Sequence, residues 1–310
     1  MTSLGLDVGG TWLKQVLVDD RNEIVESDRL LIPESDPLAF VSETAAAAVD
    51  SSGATSVGVG LAGLVRFPDG EFVWGPHLRG ESVDYRSELR AAVGFDVAVD
   101  NDANFAVHAE WSIGAGAGAD SLVMVTLGTG IGVGYVIGGR VYRGRSFAGE
   151  AGHFQMVEGG DPCSCGRSGC WETLVSGTRL DRLAADIARS EPDGRVASQA
   201  GEPSGIHLVQ AASLGDIRAK EAVSEAGRWL GRGLVNLVLL LDPDRIVVGG
   251  AAAGAGEGLI EPARQILAGA MSGSAFRIPP EVVPARFGSL SGAVGAALAG
   301  RRVHNGLYDW

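Results

Sequence analysis

The chain has 310 residues, a formal net charge of −13, a hydrophobic share of 45% and a charged share of 20%. That length and apolar share suit one large or two medium domains with a sizeable core, and the acidic balance repels phosphate backbones, which argues against nucleic-acid binding as the main activity. No run of eighteen apolar residues occurs, and "MTSLGLDVGG" lacks a basic segment followed by an apolar stretch, so no membrane span and no secretory signal are expected and the cytoplasm is the expected location.

In chain order, "LGLDVGG" and "WLKQVLVD" read as two strands separated at Gly9, Gly10 and Thr11, with "EIVESDRLLI" as a third. A helix is expected over Asp36 to Ser51, with Asp36 as N-cap and Pro37 at its first position. "SVGVGLAG" and "DVAVDND" are continuous apolar strands of the kind buried on both faces of a sheet, with a helix "SVDYRSELRAAV" between them. "NFAVHAEWSIGAG" reads as a helix running into a Gly/Ala segment, residues 114 to 119, expected to form part of a hinge. The pattern then restarts: "SLVMVTLGTG", "IGVGYVIGG" and "RVYRG" are expected strands, so a duplicated architecture is expected. Later come helices "TRLDRLAADIARS" and "DIRAKEAVSEAGRWLGRGLVNLVLLL", a strand "RIVVGG", a helix near Leu259 to Met271, a strand "EVVPA" and a last helix "SGAVGAALAG".

The 47 glycines are about twice the average share, and most fall at the ends of apolar runs, where they serve turns or the close approach of backbone to a ligand. Around Asp7, Gly9, Gly10 and Thr11 neither a P-loop nor a dinucleotide fingerprint is present, because the residues after the turn, Val16, Leu17 and Val18, are strand formers. The turn belongs to a β-hairpin whose N–H groups and Thr11 hydroxyl can form an anion-binding concavity, with Asp7 placed to hold magnesium through water; read alone, the same residues also suit a plain tight hairpin. "LGTGIG" repeats the arrangement with Thr129 and Gly130, and "VVGG" offers Gly249 and Gly250 as a backbone surface for adenine and ribose. Two such hairpins gripping a polyphosphate are the layout of the actin-like ATPases. Lys14 reads as a solvent-facing strand residue or a base near the nucleotide and is left outside the expected site.

All three cysteines lie in "CSCGRSGC", Cys163, Cys165 and Cys170. An odd number, with two of them one residue apart, does not suit a disulfide framework. C-x-C-x4-C supplies three zinc ligands, Gly166 and Gly169 let the chain wrap, and His153 is the fourth; three reduced thiols beside a histidine are the alternative.

Taken together, "LGLDVGGTWLKQVLVD", "VDNDAN", "LGTGIG", "GEAGH", "CSCGRSGCWE" and "VVGG" resemble the ROK family of sugar kinases, of the glucokinase type, over almost the whole length. The resemblance implies an α/β, two-lobed actin-like ATPase (ribonuclease H-like) fold with a cleft between the lobes and a structural zinc site. It implies phosphorylation by ATP and Mg2+ of a hexose, glucose first, with Asp102 as general base, a role that suits a carboxylate within about 3 Å of the attacking hydroxyl. Spacing alone also allows Asp102 or Asn101 as the N-cap of the helix beginning near Ala103. Asn101, Glu150, His153 and Glu172 match positions that hydrogen-bond the sugar, and His153 would offer one ring nitrogen to Zn2+ and the other to the sugar.

Two departures bear on the substrate: His77, in "GPHLRG", replaces the family's asparagine against the sugar, and Asp100 stands where glutamate is usual. Other hexoses, amino sugars and N-acetyl sugars therefore stay open, as does polyphosphate in place of ATP. The expected division is a small lobe over 1–112, rejoined by 288–310, and a large lobe over 113–287. Family precedent implies a homodimer or homotetramer. Two non-catalytic readings compete: a sugar-responsive repressor, disfavoured because the first strand begins by Ser3 and leaves no room for a preceding DNA-binding module, and a sugar-binding protein with lapsed catalysis.

Overall fold

Six consecutive buried residues, Ser3–Val8, form β1 in the computed structural model of the chain, which describes residues 2–33, 35–76, 78, 80–271, 273 and 276–310. The chain turns back antiparallel into β2 (Trp12–Val18) and again into β3 (Ile24–Leu31). α1 (Pro37–Ser52) follows, its first turn closed by Asp36, whose side chain accepts from Ala39 N, and stopped at Gly53 with φ 66°. β4 (Ser56–Leu61) then enters the sheet parallel to β1. Three short strands, β5 (Leu64–Arg66), β6 (Glu71–Trp74) and β7 (Val83–Asp84), make a separate antiparallel sheet. α2 (Tyr85–Val93) leads to β8 (Ala98–Asn101), parallel to β4, and α3 (Asp102–Ile113) starts where β8 ends. The first sheet has the order β3-β2-β1-β4-β8.

β9 (Leu122–Leu127) and β10 (Ile131–Val136) follow, then α4 (Gly177–Ser190), α5 (Gly205–Ser213), α6 (Ile217–Leu241), β11 (Arg245–Gly249), α7 (Glu257–Ala270), β12 (Glu281–Pro284) and α8 (Ser291–His304). β10-β9-β11-β12 is the order of the second large sheet. Two compact units result: one holds the residues up to Met124 with Val133–Gly149 and Leu290–Trp310, the other Val125–Gly132 with Glu150–Ser289. The division expected from sequence fell between Ser112 and Ile113; here 113–124 and 133–149 lie in the first unit as well. Among the described residues no helix is long and apolar enough to cross a membrane.

Four elements differ from expectation. "RVYRG" is no strand: Val141 makes one bridge to Val136, and the chain turns at Gly144 because Arg143 sends its guanidinium inward to Asp100. α5 was missed inside a Gly/Pro/Ser-rich stretch, where the Asp181 carboxylate accepts from Gly205 N and buried Leu208 and Ala211 hold a helix that composition alone does not favour. The β5-β6-β7 sheet was missed because its strands are two to four residues long, too short to show a period. α2 begins at Tyr85, after β7, since Asp84 caps it.

What fixes the first sheet is α8. Residues Ser291 to Gly300 are all buried, and the helix lies on β1 and β4 at backbone contact distance. A Cβ on Gly5 would stand 1.9 Å from Ala293 O, and one on Gly58 would stand 1.9 Å from Ala296 O. On the far side, Gly295 meets the backbone of Phe105 in α3 in the same way, 1.8 Å from its carbonyl oxygen. A small-residue face is therefore what lets α8 sit flat between sheet and α3. Gly58→Ala is expected to destabilise the protein by about 3 kcal/mol, the upper range for overpacking against backbone, and to lower its thermal midpoint; an unchanged midpoint would contradict this packing account.

Candidate active site

The expected site residues fall into two groups, one on each unit. On the first unit, the β1–β2 hairpin closes with Gly9 N donating to Trp12 O at 3.0 Å, which leaves Gly10 and Thr11 exposed at its tip. Cross-strand pairing sets Asp7 opposite Lys14, and the Lys14 ammonium donates to Asp7 Oδ2 at 3.0 Å. Asp7 is nearly buried, and a Cβ on Gly292 would come within 3.0 Å of its carboxyl carbon, so α8 backs the carboxylate directly. Lys14, set aside in the sequence, is thus the partner of the expected metal-holding residue.

In the parallel part of the same sheet, Val8, Leu61 and Asn101 stand level with one another. The hairpin tip and the start of α3 therefore share one carboxyl edge, the edge at which open α/β sheets bind ligands. Asn101 is the N-cap of α3: its Oδ1 accepts from Ala103 N at 2.9 Å and Asn104 N at 3.2 Å, while its Nδ2 donates to Gly63 O at 3.0 Å. That cap settles which of the two residues closes the helix and leaves Asp102 in the first turn, partly exposed, where the positive end of the helix favours a carboxylate. Ala103 N also donates to Asp102 Oδ1 at 2.9 Å. His77 lies outside the described residues.

On the second unit, a single 3-10 turn, Glu150–His153, puts Glu150 and His153 on one side, with His153 Nε2 3.7 Å from Glu150 Oε2. Both line a concavity of about 660 Å³ together with Phe154, Arg167 and Asn236. Burial pushes the Glu150 carboxyl above the usual glutamate range, the His153 ring opposing it, although its side chain keeps 48% of its surface open. A group on the wall of a concavity is crowded by protein atoms yet reachable, which reconciles the two.

The other His153 nitrogen faces the cysteines. Ligand atoms of His153, Cys163, Cys165 and Cys170 all lie within 4.8 Å of one another. Cys163 Sγ is 3.5 Å from His153 Nδ1, and Cys165 Sγ is 3.7 Å from Cys170 Sγ. A tetrahedron with Zn–S of about 2.3 Å and Zn–N of about 2.0 Å has edges of roughly 3.5–3.8 Å, so the donor set fits zinc by type and by spacing. Burial pushes the Cys163 thiol up to about 12 and raises Cys170 as well. For Cys165 burial is outweighed by hydrogen bonds from the Arg167 backbone and from Cys163, and the thiol lies below its ordinary value. A divalent cation is the natural way to ionise all three together. The glycines between them turn as the wrapping requires: Gly166 and Gly169 have φ of 85° and 71°, and a Cβ on Gly169 would stand 1.7 Å from Val157 O.

Glu172 connects this cage to the second hairpin. Its Oε1 accepts from Cys163 Sγ and Ser164 Oγ, each at 3.2 Å, and its Oε2 accepts from Ile131 N at 3.2 Å. Gly130 leaves room for that carboxylate: a Cβ there would meet Glu172 Oε2 at 2.1 Å and push it off Ile131 N. Thr129 is exposed at the hairpin tip, held by Thr178 Oγ1 donating to its carbonyl at 2.8 Å, while Gly177 N donates to Gly128 O at 2.7 Å. Gly177 and Thr178, at the start of α4, are site neighbours that the sequence did not flag. Gly249 ends β11, and Gly250, at φ 86°, lies so close to Leu127 that a Cβ would be 2.5 Å from its carbonyl oxygen. Buried Trp171 anchors the whole segment: its Nε1 donates to Trp229 O at 2.9 Å, and its ring fills the space over Gly233 of α6.

Comparison with known proteins gives the family. The ROK family model matches residues 3–302. The chain is 34% identical over 306 residues to a glucokinase of Streptomyces coelicolor, covering 95% of this chain and 96% of that protein. It is 30% identical over 276 residues to a putative xylose repressor of Caldicellulosiruptor, covering 85% of this chain and 69% of the relative. Among solved structures it is similar to a ROK family glucokinase from Streptomyces griseus in complex with glucose and AMPPNP, with a TM-score of 0.90, 33% identity, and 97% and 100% of the two chains covered. The α/β architecture is accordingly the actin-like ATPase fold of the ROK sugar kinases.

The protein as purified is expected to carry stoichiometric zinc. Cys165→Ser should lower zinc content, read by elemental analysis, and weaken sugar binding by roughly tenfold or more, the usual effect of loosening a histidine held through a metal. Loss of zinc with unchanged sugar affinity would separate the cage from the sugar.

Proposed function

We propose that this chain, which belongs to the ROK family and is a sugar kinase, transfers the terminal phosphoryl group of ATP to the 6-hydroxyl of glucose with Asp102 as general base. The observation that carries the proposal is the shared carboxyl edge, where the glycine hairpin after Asp7 and the α3 turn bearing Asp102 stand on strands β1 and β8 of one sheet.

In this reading the 6-oxygen attacks the terminal phosphorus, the bond from that phosphorus to the bridging oxygen breaks, ADP leaves, and the hydroxyl proton passes to the Asp102 carboxylate. Little covalent work falls to the protein; positioning and charge stabilisation carry the rate. Asn101, Glu150, His153 and Glu172 hold the sugar hydroxyls. Carboxylates accept from vicinal hydroxyls, which suits a polyol. Gly9, Gly10 and Thr11 on one hairpin, and Thr129 and Gly130 on the other, offer N–H and hydroxyl donors to the phosphates, with Gly249 and Gly250 against the nucleoside. Asp7 would hold Mg2+ through water, and magnesium bound to ATP neutralises the phosphate oxygens. His153, Cys163, Cys165 and Cys170 would hold zinc, which fixes the ring of His153 and stands outside the reaction.

The AMPPNP and glucose of the Streptomyces griseus structure support this choice of nucleotide and sugar. The similarity to a putative xylose repressor supports a second reading, a sugar-binding regulator without turnover. ADP release measured across glucose, other hexoses, amino sugars and N-acetyl sugars decides between the two readings and ranks the acceptors. Asp102→Asn is expected to keep the fold and the sugar affinity while kcat falls by roughly 10²- to 10⁴-fold. Near-normal turnover in that variant would remove Asp102 from the mechanism.

A further inference from the structure

Residues 305–310 carry no recognisable motif, yet Trp310 is only 8% exposed. Its indole stands edge-on to Phe67, ring centres 5.1 Å apart, and tilts against Phe105 of α3 at 5.8 Å. The indole N–H donates to Asp100 Oδ2 at 3.1 Å. Arg143 Nε donates to the same oxygen at 2.8 Å, and both Arg143 Nη atoms donate to Trp310 O, at 3.3 and 3.4 Å. The guanidinium itself lies 3.9 Å over the Phe67 ring. The second carboxylate oxygen, Asp100 Oδ1, accepts from Asn101 N at 2.8 Å and from Asn104 Nδ2 at 3.0 Å.

Asp100 is fully buried, and it is the residue two before Asp102. A buried carboxylate is stable where it is paired and its lone pairs are filled, and here four donors fill them, two per oxygen. The pairs differ in origin. Oδ2 is held by Arg143 and Trp310, which come from distant parts of the chain, whereas Oδ1 holds the backbone of Asn101 and the first turn of α3. A rotation of this carboxylate therefore moves the backbone that carries Asp102. An error of about 1 Å at a reacting group costs on the order of 10²-fold in rate.

We infer that Arg143 and Trp310 form a clamp on Asp100 that positions Asp102 for proton acceptance, so that both are positioning residues of the phosphoryl transfer. The inference rests on Asp102 as general base, and its test separates the two. Trp310→Phe keeps an aromatic ring but removes the N–H together with the second ring of the indole; Trp310→Ala removes the aromatic group entirely; Arg143→Lys keeps the charge and loses the fork. Trp310→Phe is expected to lower kcat by roughly three- to tenfold and Trp310→Ala by more, with the KM for ATP within about twofold of the parent. Arg143→Lys is expected to lower kcat by roughly tenfold under the same conditions. A purely structural role would instead raise the KM for ATP in step with the fall in kcat, and that result would overturn the clamp.

Combining Trp310→Phe with Asp102→Asn discriminates further. With the base gone there is nothing to position, so the double variant should turn over as slowly as Asp102→Asn alone. An additional loss equal to that of Trp310→Phe in the parent would show that Trp310 acts independently of Asp102 and would overturn the inference. If Asp102→Asn is nearly inactive while Trp310→Phe, Trp310→Ala and Arg143→Lys all keep parental kcat, the clamp fails and the base stands. If Asp102→Asn turns over normally, it is the base that fails.

Discussion

Backbone contact between α8 and the first sheet is the constraint from which the first half of the site follows. An ordinary helix–sheet layer separates backbones by the thickness of two sets of side chains; here Gly5 and Gly58 remove one set and Ala293 and Ala296 shrink the other. The result is a helix lying directly behind β1 and β4, with Gly292 against the Asp7 carboxyl group and Gly295 against α3. Asp7 and the helix that begins at Asp102 are thus referred to one rigid element from opposite sides. Close-packed interiors tolerate no slack at such contacts, which is why the small residues matter more than their hydrophobicity.

The residues of the second unit are held in a different way. From Glu150 to Ser176 there is no strand and only two single 3-10 turns. Its backbone hydrogen bonds, such as Trp171 N to Phe154 O and Gly169 N to Asp161 O, each at 2.8 Å, fold the segment back on itself without a sheet's regular ladder, so conformational entropy still works against any fixed arrangement of its side chains. Three cysteines and a histidine replace the missing sheet with a donor cage, Trp171 pins the segment to α6, and Glu172 joins the cage to the hairpin at Ile131. The one histidine in that cage keeps its second nitrogen turned to Glu150. A metal held by that cage would fix the orientation of the ring, and orientation is worth one to two orders of magnitude at comparable sites.

How much was legible in the sequence follows from what each signal depends on. The glycine hairpins, the cysteine spacing and the cap at Asp36 are local, and each can be recognised within about ten residues. The Asp7–Lys14 pair was also available: with a two-residue turn at Gly10 and Thr11, antiparallel pairing places position 7 opposite position 14, but without the register carried through Lys14 stayed open between a solvent-facing residue and a basic group near the nucleotide. Gly177 and Thr178 carry no chemical signature and become visible only once α4 is seen to start beside Gly128. Trp310 was beyond reach, because its environment is assembled from residues 67, 100, 105 and 143 and no periodicity links them. The missed α5 shows the opposite case, where composition pointed to a loop and a tertiary hydrogen bond from Gly205 N to Asp181 prevailed.

Both halves of the candidate site thus fix a side chain through a neighbour that does not itself face the substrate. His153 is oriented by thiols and the Asp102 turn by the Asp100 carboxylate, and in each case the supporting group is buried or half-buried, so its bonds are strengthened by exclusion of water. The two supports differ in what threatens them. A cage of three thiols and an imidazole depends on metal and on the reduced state of sulfur, whereas the Asp100 cluster depends on a carboxylate paired with the Arg143 guanidinium at 2.8 Å. Conditions that strip metal or oxidise thiols therefore act on the residues assigned to sugar binding in the second unit and leave the Asp102 turn in place. The residues proposed for sugar binding on the second unit and the turn bearing Asp102, the proposed base, thus rest on separable physical supports within one chain.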